Sequence, residues 1–179
     1  MNKHVEARTT SNAAADATLA SVAKNPDGES WQVVVPHLFG TEPQVAVTGE
    51  YVFSGELREK MVAAIVRGEK TATASLLEEY QRGEEPLPKM GDMEVVIDSY
   101  AKPVCLTRVT DVYCEPFGNV SDEHAIAEGE GFNDAEAWRV AHKEFWTSLE
   151  FVAGMGEPEV MLDDATVVVL VSMEVIAKL

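Results

Sequence analysis

The feature that most constrains the fold is a long apolar run, ATVVVLVSMEVI, at residues 165–176. Its β-branched residues favour a strand, and because apolar side chains follow one another almost without interruption, both faces of that strand must be covered. We therefore expect this strand to lie in the centre of a sheet. The shorter runs WQVVV, from Trp31, and QVAV, from Gln44, are predicted to be strands as well.

Two further apolar runs, MEVVID and VCLTRVTDVY, are separated only by SYAKP, which predicts a hairpin or a short meander. Helical periodicity begins after Gly55, and its apolar stripe consists of Leu57, Met61, Ala64 and Ile65. A second helix is predicted after the capping residue Ser121, and a third from Asn133. The core positions of the third helix are Trp138, Ala141, Phe145 and Leu149. Helices placed between antiparallel strands are typical of an α+β domain around a small, partly closed β-sheet.

Length and composition favour one domain with an N-terminal extension. The chain has 179 residues, of which 46% are hydrophobic, and this suffices for one sizeable core. Residues 1–30 are rich in small polar residues and are predicted to be a flexible tail, so the folded domain is expected to span residues 31–179. The opening stretch has no apolar run typical of a secretory signal, and no stretch is long enough to span a membrane.

The charge and the cysteines narrow the classes of partner and compartment. A formal net charge of -17 argues against a broad electrostatic grip on nucleic acid, although it leaves room for a local basic pocket. Cys105 and Cys114 have neither the number nor the spacing of a disulfide framework or a zinc site, so we expect a cytoplasmic protein.

The segment RGEKTATASLLEEY places a lysine and several hydroxyl groups directly after the first long helix. Gly68 is expected to end that helix, because glycine enters the left-handed conformation without steric cost. In an extended segment Thr71, Thr73 and Ser75 share one face, and Lys70 lies at the opposite phase. Hydroxyl groups beside one amine suit a small polar ligand.

Two other groups are candidates for chemistry, namely the acidic pair Glu128 and Glu130 and the helix that carries Arg139 and His142. Each has an ordinary structural explanation: solvated acids at a helix end, an arginine paired along the helix, and a buried, hydrogen-bonded histidine. A lysine, a carboxylate and a hydroxyl nevertheless form a minimal set for hydrolysis if they meet in space.

Five segments occur in an order that resembles the ASCH family, a PUA-like superfamily linked to RNA. They are GEKTATASLLEEY, LPKMGDMEVVID, PVCLTRVTDVYCEPFGNV, AIAEGEGFNDAEAWRVAHKEFW and VVVLVSMEVI. The resemblance covers residues 52–176 and implies a PUA-like small β-barrel with flanking helices. It also implies that Gly68, Lys70 and Thr73 line a cleft and that Glu128 and Glu130 lie across it.

The resemblance implies more than one activity. Small members of the family resemble hydrolases that deacetylate acetylated cytidine, and their catalytic residues correspond to Lys70, Thr73 and Glu130. Longer members, with EGEG and a WR…H…F helix as here, are described as RNA-binding, and some as metal-dependent ribonucleases. The resemblance therefore leaves open whether a divalent cation, manganese or magnesium, is a cofactor, and no residue is assigned as its ligand.

Three hypotheses follow, with RNA or a modified nucleoside as the partner. The first is a ribonuclease that holds a phosphodiester near Lys70, with Glu130 as general base or metal ligand. The second is an amidohydrolase acting on acetylated cytidine, and the third is a non-catalytic RNA- or nucleotide-binding module. The substrate-binding residues in these hypotheses are Gly68, Thr71, Ser75, Tyr80, Glu128 and Arg139. The net charge favours the second hypothesis and the motifs favour the first, to which we give slightly more weight.

The chain departs from the longer family type at two positions. Phe132 stands where an acidic residue usually follows EGEG, and Ser172 stands near the place of an arginine in the last strand. Each departure removes a charge, which weakens the case for metal or phosphate contacts at these positions.

Overall fold

The protein is described by a computed structural model that covers residues 20–156 and 161–179. In these ranges one sheet contains seven strands: β1 Ser21–Lys24, β2 Ser30–Val34, β3 Gln44–Gly49, β4 Ala72–Leu76, β5 Met93–Ile97, β6 Pro103–Pro116 and β7 Val167–Lys178. The six helices are α1 Pro36–Phe39, α2 Glu56–Arg67, α3 Leu77–Gly83, α4 Asp122–Ala127, α5 Ala135–Trp146 and α6 Leu149–Met155. This arrangement confirms the predicted α+β class.

The strands pair in the order β1-β2-β3-β5-β6-β7-β4. The β3–β5 pair is parallel and the other pairs are antiparallel. As predicted, the apolar strand β7 has a neighbour on each side, β6 and β4. Within the described ranges no ladder joins the two edge strands, β1 and β4, so the hydrogen-bonded sheet is not closed into a barrel.

The two sides of the sheet are covered by different helices. On one side, which we call the α2 side, Ile65 of α2 packs against Cys105 and Met173. On the other, the α5 side, Trp138 of α5 packs against Leu170 in a cluster that includes residues of α4 and α6. A separate cluster around Val33 and Val95 fills the β1–β5 end of the sheet. The β4–β7 register then decides which residues of β4 face each set of helices.

Two predicted core positions on the helices are wrong. Leu57 is 54% exposed, because the neighbouring residue Arg58 turns inward and donates to the carbonyl groups of Tyr51 and Val52. Leu149 is 91% exposed, because α5 ends at Trp146 and Leu149 belongs to the next helix.

The helix starts are close to the predicted ones. Ser121 caps α4 as expected, since its hydroxyl accepts from the backbone N–H of His124. The cap of α5 is Asp134 rather than Asn133, because the Asp134 carboxylate accepts from the N–H of Ala137. An acid at this position also interacts favourably with the helix dipole.

The predicted tail, residues 1–30, lies only partly in the described ranges. Residues 1–19 are outside them. Strand β1 falls within the predicted tail and pairs antiparallel with β2, with Val22 opposite Val33. No helix in the described part of the chain is long and apolar enough to cross a membrane.

Candidate functional site: a buried lysine between two glutamates

The end of α2 directs Lys70 towards the α5 side of the sheet. Gly68 has a φ of 73°, which confirms the predicted left-handed helix end. The backbone N–H groups of Glu69 and Lys70 both donate to the carbonyl oxygen of Ala64, at 2.9 and 3.2 Å. The chain then enters β4 with Lys70 in phase with Ala72, so the lysine side chain lies on the same side as the α5 cluster.

The loop after α4 packs directly on the backbone that carries Lys70. Gly129 has a φ of 65°, and a Cβ atom there would lie 2.3 Å from the carbonyl oxygen of Glu69 and 2.7 Å from the amide nitrogen of Lys70. The N–H of Thr71 donates to the carbonyl oxygen of Ala127 at 2.8 Å. Only glycine allows so close an approach in this conformation. The glycine of EGEG therefore brings its two glutamates to the lysine.

The Lys70 ammonium group contacts both glutamates. Its Nζ lies 2.7 Å from Glu130 Oε1, 3.5 Å from Glu128 Oε2 and 3.3 Å from the carbonyl oxygen of Glu128. Two of these contacts, to Glu130 and to the Glu128 carbonyl oxygen, are hydrogen bonds, and the longer one to Glu128 Oε2 is an ion pair. The Lys70 and Glu128 side chains are each 1% exposed, whereas the Glu130 side chain is 19% exposed. Glu130 is thus the member of this group that a ligand can reach.

Glu128 is held by groups from two helices. The Trp138 indole N–H donates to Glu128 Oε1 at 2.9 Å, and His124 Nε2 lies 3.0 Å from the same oxygen. His142 Nε2 lies 3.4 Å from Glu128 Oε2. Burial raises the pKa of Glu128, but hydrogen bonds from His124 and His142 and the charge of Lys70 outweigh it, so the pKa of Glu128 lies well below its usual range. Glu128 is therefore a fixed carboxylate anion.

His142 brings α5 against Glu128 at a second point. Its Nδ1 lies 3.1 Å from the carbonyl oxygen of Trp138, an acceptor, so Nδ1 donates in this contact. Its Nε2 faces Glu128 Oε2 at 3.4 Å. The orientation of the His142 ring is therefore fixed by its own helix on one side and by Glu128 on the other.

The other residues predicted for the site are split between the two sides of the sheet. Thr73 and Ser75 are opposite Val171 and Val169 of β7, which places their side chains on the α2 side. Tyr80 of α3 packs against the same valines, and its phenol group interacts with the Ser75 hydroxyl. Thr73 and Ser75 share one face and Lys70 projects from the opposite one, as the phase of the extended segment predicts.

Gly68 and Thr71 lie at the edge between the two sides. Both line a cavity of about 340 Å³ between α2 and β7, whose walls include Ile65 and Met173 and to which Lys70 also contributes. The Thr71 hydroxyl donates to the carbonyl oxygen of Ala127 at 3.3 Å. These two residues therefore border the loop that holds the glutamates as well as the cavity.

Arg139 is predicted to bind substrate, and its guanidinium group contacts the protein itself. It lies 3.5 and 3.4 Å from the carbonyl oxygens of Gly118 and Val120 and 3.2 Å from a carboxylate oxygen of Glu136. In this conformation Arg139 ties α5 to the turn that precedes α4.

The two departures from the family pattern lie near the Lys70 group. The Phe132 ring has its centroid 6.0 Å from that of His142. Ser172 is opposite Ala72 in the β4–β7 ladder, so its side chain projects to the same side as Lys70. An apolar ring and a small hydroxyl group are thus the side chains that these two positions present.

The sequence reasoning identified Lys70 and the two glutamates but did not connect His124, Trp138 and His142 with Glu128. The available signal was helical spacing, since His124 and Glu128 are four residues apart, as are Trp138 and His142. The Trp138 and His142 rings stack with their centroids 4.0 Å apart, and this stacking is visible only in the three-dimensional structure.

The residues around the site do not form an evident metal-binding set. In residues 20–156 and 161–179, no group of three or more His, Cys, Asp or Glu side chains is placed to hold a metal ion. The Glu128 carboxylate, the most buried of these acids, already accepts hydrogen bonds from the protein on both oxygens.

The seven-stranded mixed sheet with its helices and the buried lysine between two glutamates define an α+β domain with a lysine–glutamate site. The sequence model of the ASCH domain family matches residues 49–177, and the chain belongs to this family. ASCH domains are PUA-like and are associated with RNA binding.

Two solved structures resemble this chain over most of the matched region. The ASCH domain from Lactobacillus crispatus JV V101 is 26% identical with a TM-score of 0.63, and the alignment covers 73% of this chain and 80% of that one. Protein EF3133 from Enterococcus faecalis V583 is 30% identical with a TM-score of 0.61, over 70% of this chain and 72% of that one. A comparison with curated proteins finds no match.

Proposed function

We propose that this protein binds RNA or a modified nucleoside through a base placed next to Glu130, and that Glu130 is the general base for hydrolysis of an acetyl group on cytidine. The observation that carries the proposal is the contact between Lys70 and Glu130, in which a fully buried ammonium group holds a carboxylate that is itself partly exposed. A carboxylate held in this way is oriented before the substrate arrives, as a general base must be.

The reaction needs only water and the acyl substrate. Glu130 takes a proton from a water molecule while the water oxygen attacks the acetyl carbonyl carbon. The tetrahedral intermediate then breaks its bond to the cytosine amino nitrogen, which takes the proton back from Glu130. The products are an unmodified cytidine and acetic acid, which releases its proton to the solvent and leaves as acetate. Lys70 holds the Glu130 carboxylate in place. Its positive charge also offsets the negative charge that develops on the tetrahedral intermediate.

Water is the nucleophile in this proposal, and Thr73 is not. Thr73 lies on the α2 side of the sheet, opposite to the face from which Lys70 projects. Its side chain makes no hydrogen bond to another described residue. Thr73 and Ser75 therefore suit contacts to a different part of the bound strand.

The geometry favours acyl hydrolysis over ribonuclease action. Holding a phosphodiester requires cationic donors that are free to turn to it, but the Lys70 donors face the protein and Arg139 contacts two carbonyl groups and Glu136. A neutral acetylated base also meets less repulsion than a phosphate does from a chain with a net charge of -17.

The test uses single-stranded RNA that contains one acetylated cytidine, incubated with the protein in EDTA, manganese or magnesium and analysed by mass spectrometry. We expect loss of the acetyl group with the RNA chain intact. The matched variants are Glu130→Gln, which should lose the activity, and Glu144→Gln, which changes an exposed glutamate of α5 and should keep it. Chain cleavage would favour the ribonuclease hypothesis, and binding without any product would favour a non-catalytic module.

A further inference from the structure

The cavity of about 340 Å³ lies between the C-terminal end of α2 and strands β6 and β7, on the α2 side of the sheet. Of the two residues that carry the proposed acetyl hydrolysis, Glu130 does not line it. Lys70 does, but its ammonium group is held by Glu128 and Glu130. A volume of about 300 Å³ or more is typical of pockets that hold small organic ligands. The other polar groups of the cavity wall therefore need their own explanation.

Much of the cavity wall is apolar. Ile65 and Met173 are buried, and Val66 and Val175 are partly buried members of the same hydrophobic cluster. A ligand with an apolar body removes its own apolar surface and that of the wall from water when it binds here. The wall therefore favours such a ligand over a fully polar one.

Thr107 adds one hydroxyl group to this apolar wall. The residue is 1% exposed and lies opposite Val175 in the β6–β7 ladder. Its hydroxyl makes no hydrogen bond to another residue in the ranges 20–156 and 161–179. Because every fully buried side-chain polar atom in those ranges has a partner, the Thr107 oxygen must keep some accessible surface. The space that Thr107 lines is the cavity, so this hydroxyl group is available to a ligand there.

Lys178 brings a positive charge to the same cavity. It lies opposite Cys105 in the β6–β7 ladder, so its side chain projects to the α2 side. Its backbone is held in place, because the N–H of Leu179 donates to the carbonyl oxygen of Val104 at 2.9 Å. The Lys178 side chain is exposed and makes no ion pair with a residue in the described part of the chain. Its ammonium group can therefore turn to an anionic ligand.

The other charged groups at the cavity are already paired. Glu174 lines the cavity, and its carboxylate lies 2.5 Å from the guanidinium group of Arg108. Arg67 also lines it and donates two hydrogen bonds, of 2.9 and 2.6 Å, to the carboxylate of Glu69. An anion next to Lys178 thus meets ion pairs and not unpaired acids.

The two polar groups available to a ligand lie at different points along β6. Thr107 is two residues from Cys105, which is opposite Lys178, and two residues of a strand span about 7 Å. Groups that bind to Lys178 and to Thr107 therefore belong to opposite ends of one small molecule. A benzene ring that carries a carboxylate and a hydroxyl group at opposite positions has this form.

We propose that this cavity binds a small carboxylic acid with an apolar, preferably aromatic, body. The carboxylate accepts from Lys178, the body packs between Ile65 and Met173, and a hydroxyl group at the far end pairs with Thr107. One ammonium group suits a carboxylate better than a phosphate, because a phosphate group presents three strong acceptor oxygens and is usually held by several donors.

The test is a titration of the nitrogen-15-labelled protein with 4-hydroxybenzoate, followed by two-dimensional NMR. We expect the amide signals of Ile65, Thr107 and Met173 to move with the ligand concentration. The indole signal of Trp138, which lies on the α5 side, should stay in place. The neutral analogue 4-hydroxybenzamide should bind about tenfold more weakly, the order of magnitude of one hydrogen bond to a charged group.

Lys178→Met tests the carboxylate contact. Methionine removes the charge from an exposed side chain, so the fold should be kept and the affinity for 4-hydroxybenzoate should fall about tenfold. The matched control is Lys143→Met, which changes an exposed lysine of α5 and should bind as the wild type does.

Thr107→Val tests the hydroxyl contact. Since the hydroxyl group bonds to no residue in the described ranges, its removal should not lower the thermal stability. The wild type should bind 4-hydroxybenzoate about fivefold more tightly than benzoate, the order of magnitude of one neutral hydrogen bond. The variant should bind the two compounds equally. A large loss of stability, or a preference that persists in the variant, would show that the hydroxyl group does not serve the ligand.

The remaining outcomes decide the site and the class of ligand. No movement of the signals of Ile65, Thr107 and Met173, or equal affinities of Lys178→Met and the wild type, would overturn the proposal. Movement of the same signals by cytidine 5′-monophosphate at lower concentrations would also overturn it, in favour of a nucleotide. Glu130→Gln should bind 4-hydroxybenzoate as the wild type does, so the result does not depend on the proposed acetyl hydrolysis.

Discussion

Lys70 Nζ lies 2.7 Å from Glu130 Oε1, although the two residues are 60 positions apart in the chain. Two glycines allow this contact. Gly68 ends α2 in the left-handed conformation, and Gly129 lets the EGEG loop pack on the backbone of Glu69 and Lys70. A buried cation then lies between a buried carboxylate, Glu128, and a partly exposed one, Glu130. The predictions below test this arrangement and, separately, the partly buried acid Glu94.

Replacing Lys70 by methionine should destabilise the protein by about 3–5 kcal/mol, because it leaves Glu128 as a buried charge without its cation. The measurement is urea unfolding at neutral pH. The double variant Lys70→Met with Glu128→Gln removes both charges and should recover part of the loss. Equal stability of Lys70→Met and the wild type would show that the ammonium group does not balance the buried acids.

Gly129→Ala should lower stability by more than the roughly 1–2 kcal/mol expected for a left-handed alanine alone, because its Cβ would also meet the backbone of Glu69. Gly131→Ala is the matched control. Gly131 also has a positive φ, but no atom lies within 4 Å of its Cβ position, so only the conformational cost applies. Thermal unfolding of both variants measures the difference, and equal losses would argue against the close approach.

Glu128 should make the protein less stable in acid. Its pKa in the folded state is below the ordinary value of 4.5, so its stabilising contribution is complete above that value and is lost as the pH falls towards the folded-state pKa. Glu128→Gln, although less stable at neutral pH, should lose less stability between about pH 6 and pH 3. Parallel pH profiles of the two proteins would contradict this assignment.

Glu94 should act with the opposite sign. Burial raises its pKa above the ordinary value of 4.5, which the hydrogen bond from Tyr51 only partly offsets. Because the folded state favours the protonated form, stability falls as the pH rises from the unfolded-state pKa through the folded-state pKa. Glu94→Gln removes this loss. The free energy of unfolding of the variant should therefore fall less between about pH 4 and pH 8 than that of the wild type. Chemical denaturation at both pH values checks the sign.

Local patterns predicted most of the elements correctly. The helix that ends at Gly68, the extended segment of alternating alanines and hydroxyl residues, and the apolar strand β7 all follow from periodicity and turn chemistry. Leu57 and Leu149 were wrong because apolar spacing alone does not show that Arg58 turns inward or that α5 stops at Trp146.

The site was harder to predict than the fold. The family resemblance placed Lys70 and Glu130 across one cleft, and spacing alone did not. The partners of Glu128 come from α4 and α5, so their convergence depends on how these helices pack around Trp138. Glu94 gave no signal, because a glutamate in a strand is ordinarily a solvated residue, and its contact with Tyr51 joins residues 43 positions apart in the chain.

The most direct test of the central claim is the rate of acetate release from acetylated cytidine in RNA by the wild type and Glu130→Gln, measured in EDTA under saturating substrate. If Glu130 is the general base, kcat should fall by about 10²–10⁴-fold while substrate affinity changes little. A wild-type protein that releases no acetate, or a Glu130→Gln variant that releases it at the wild-type rate, would contradict the account.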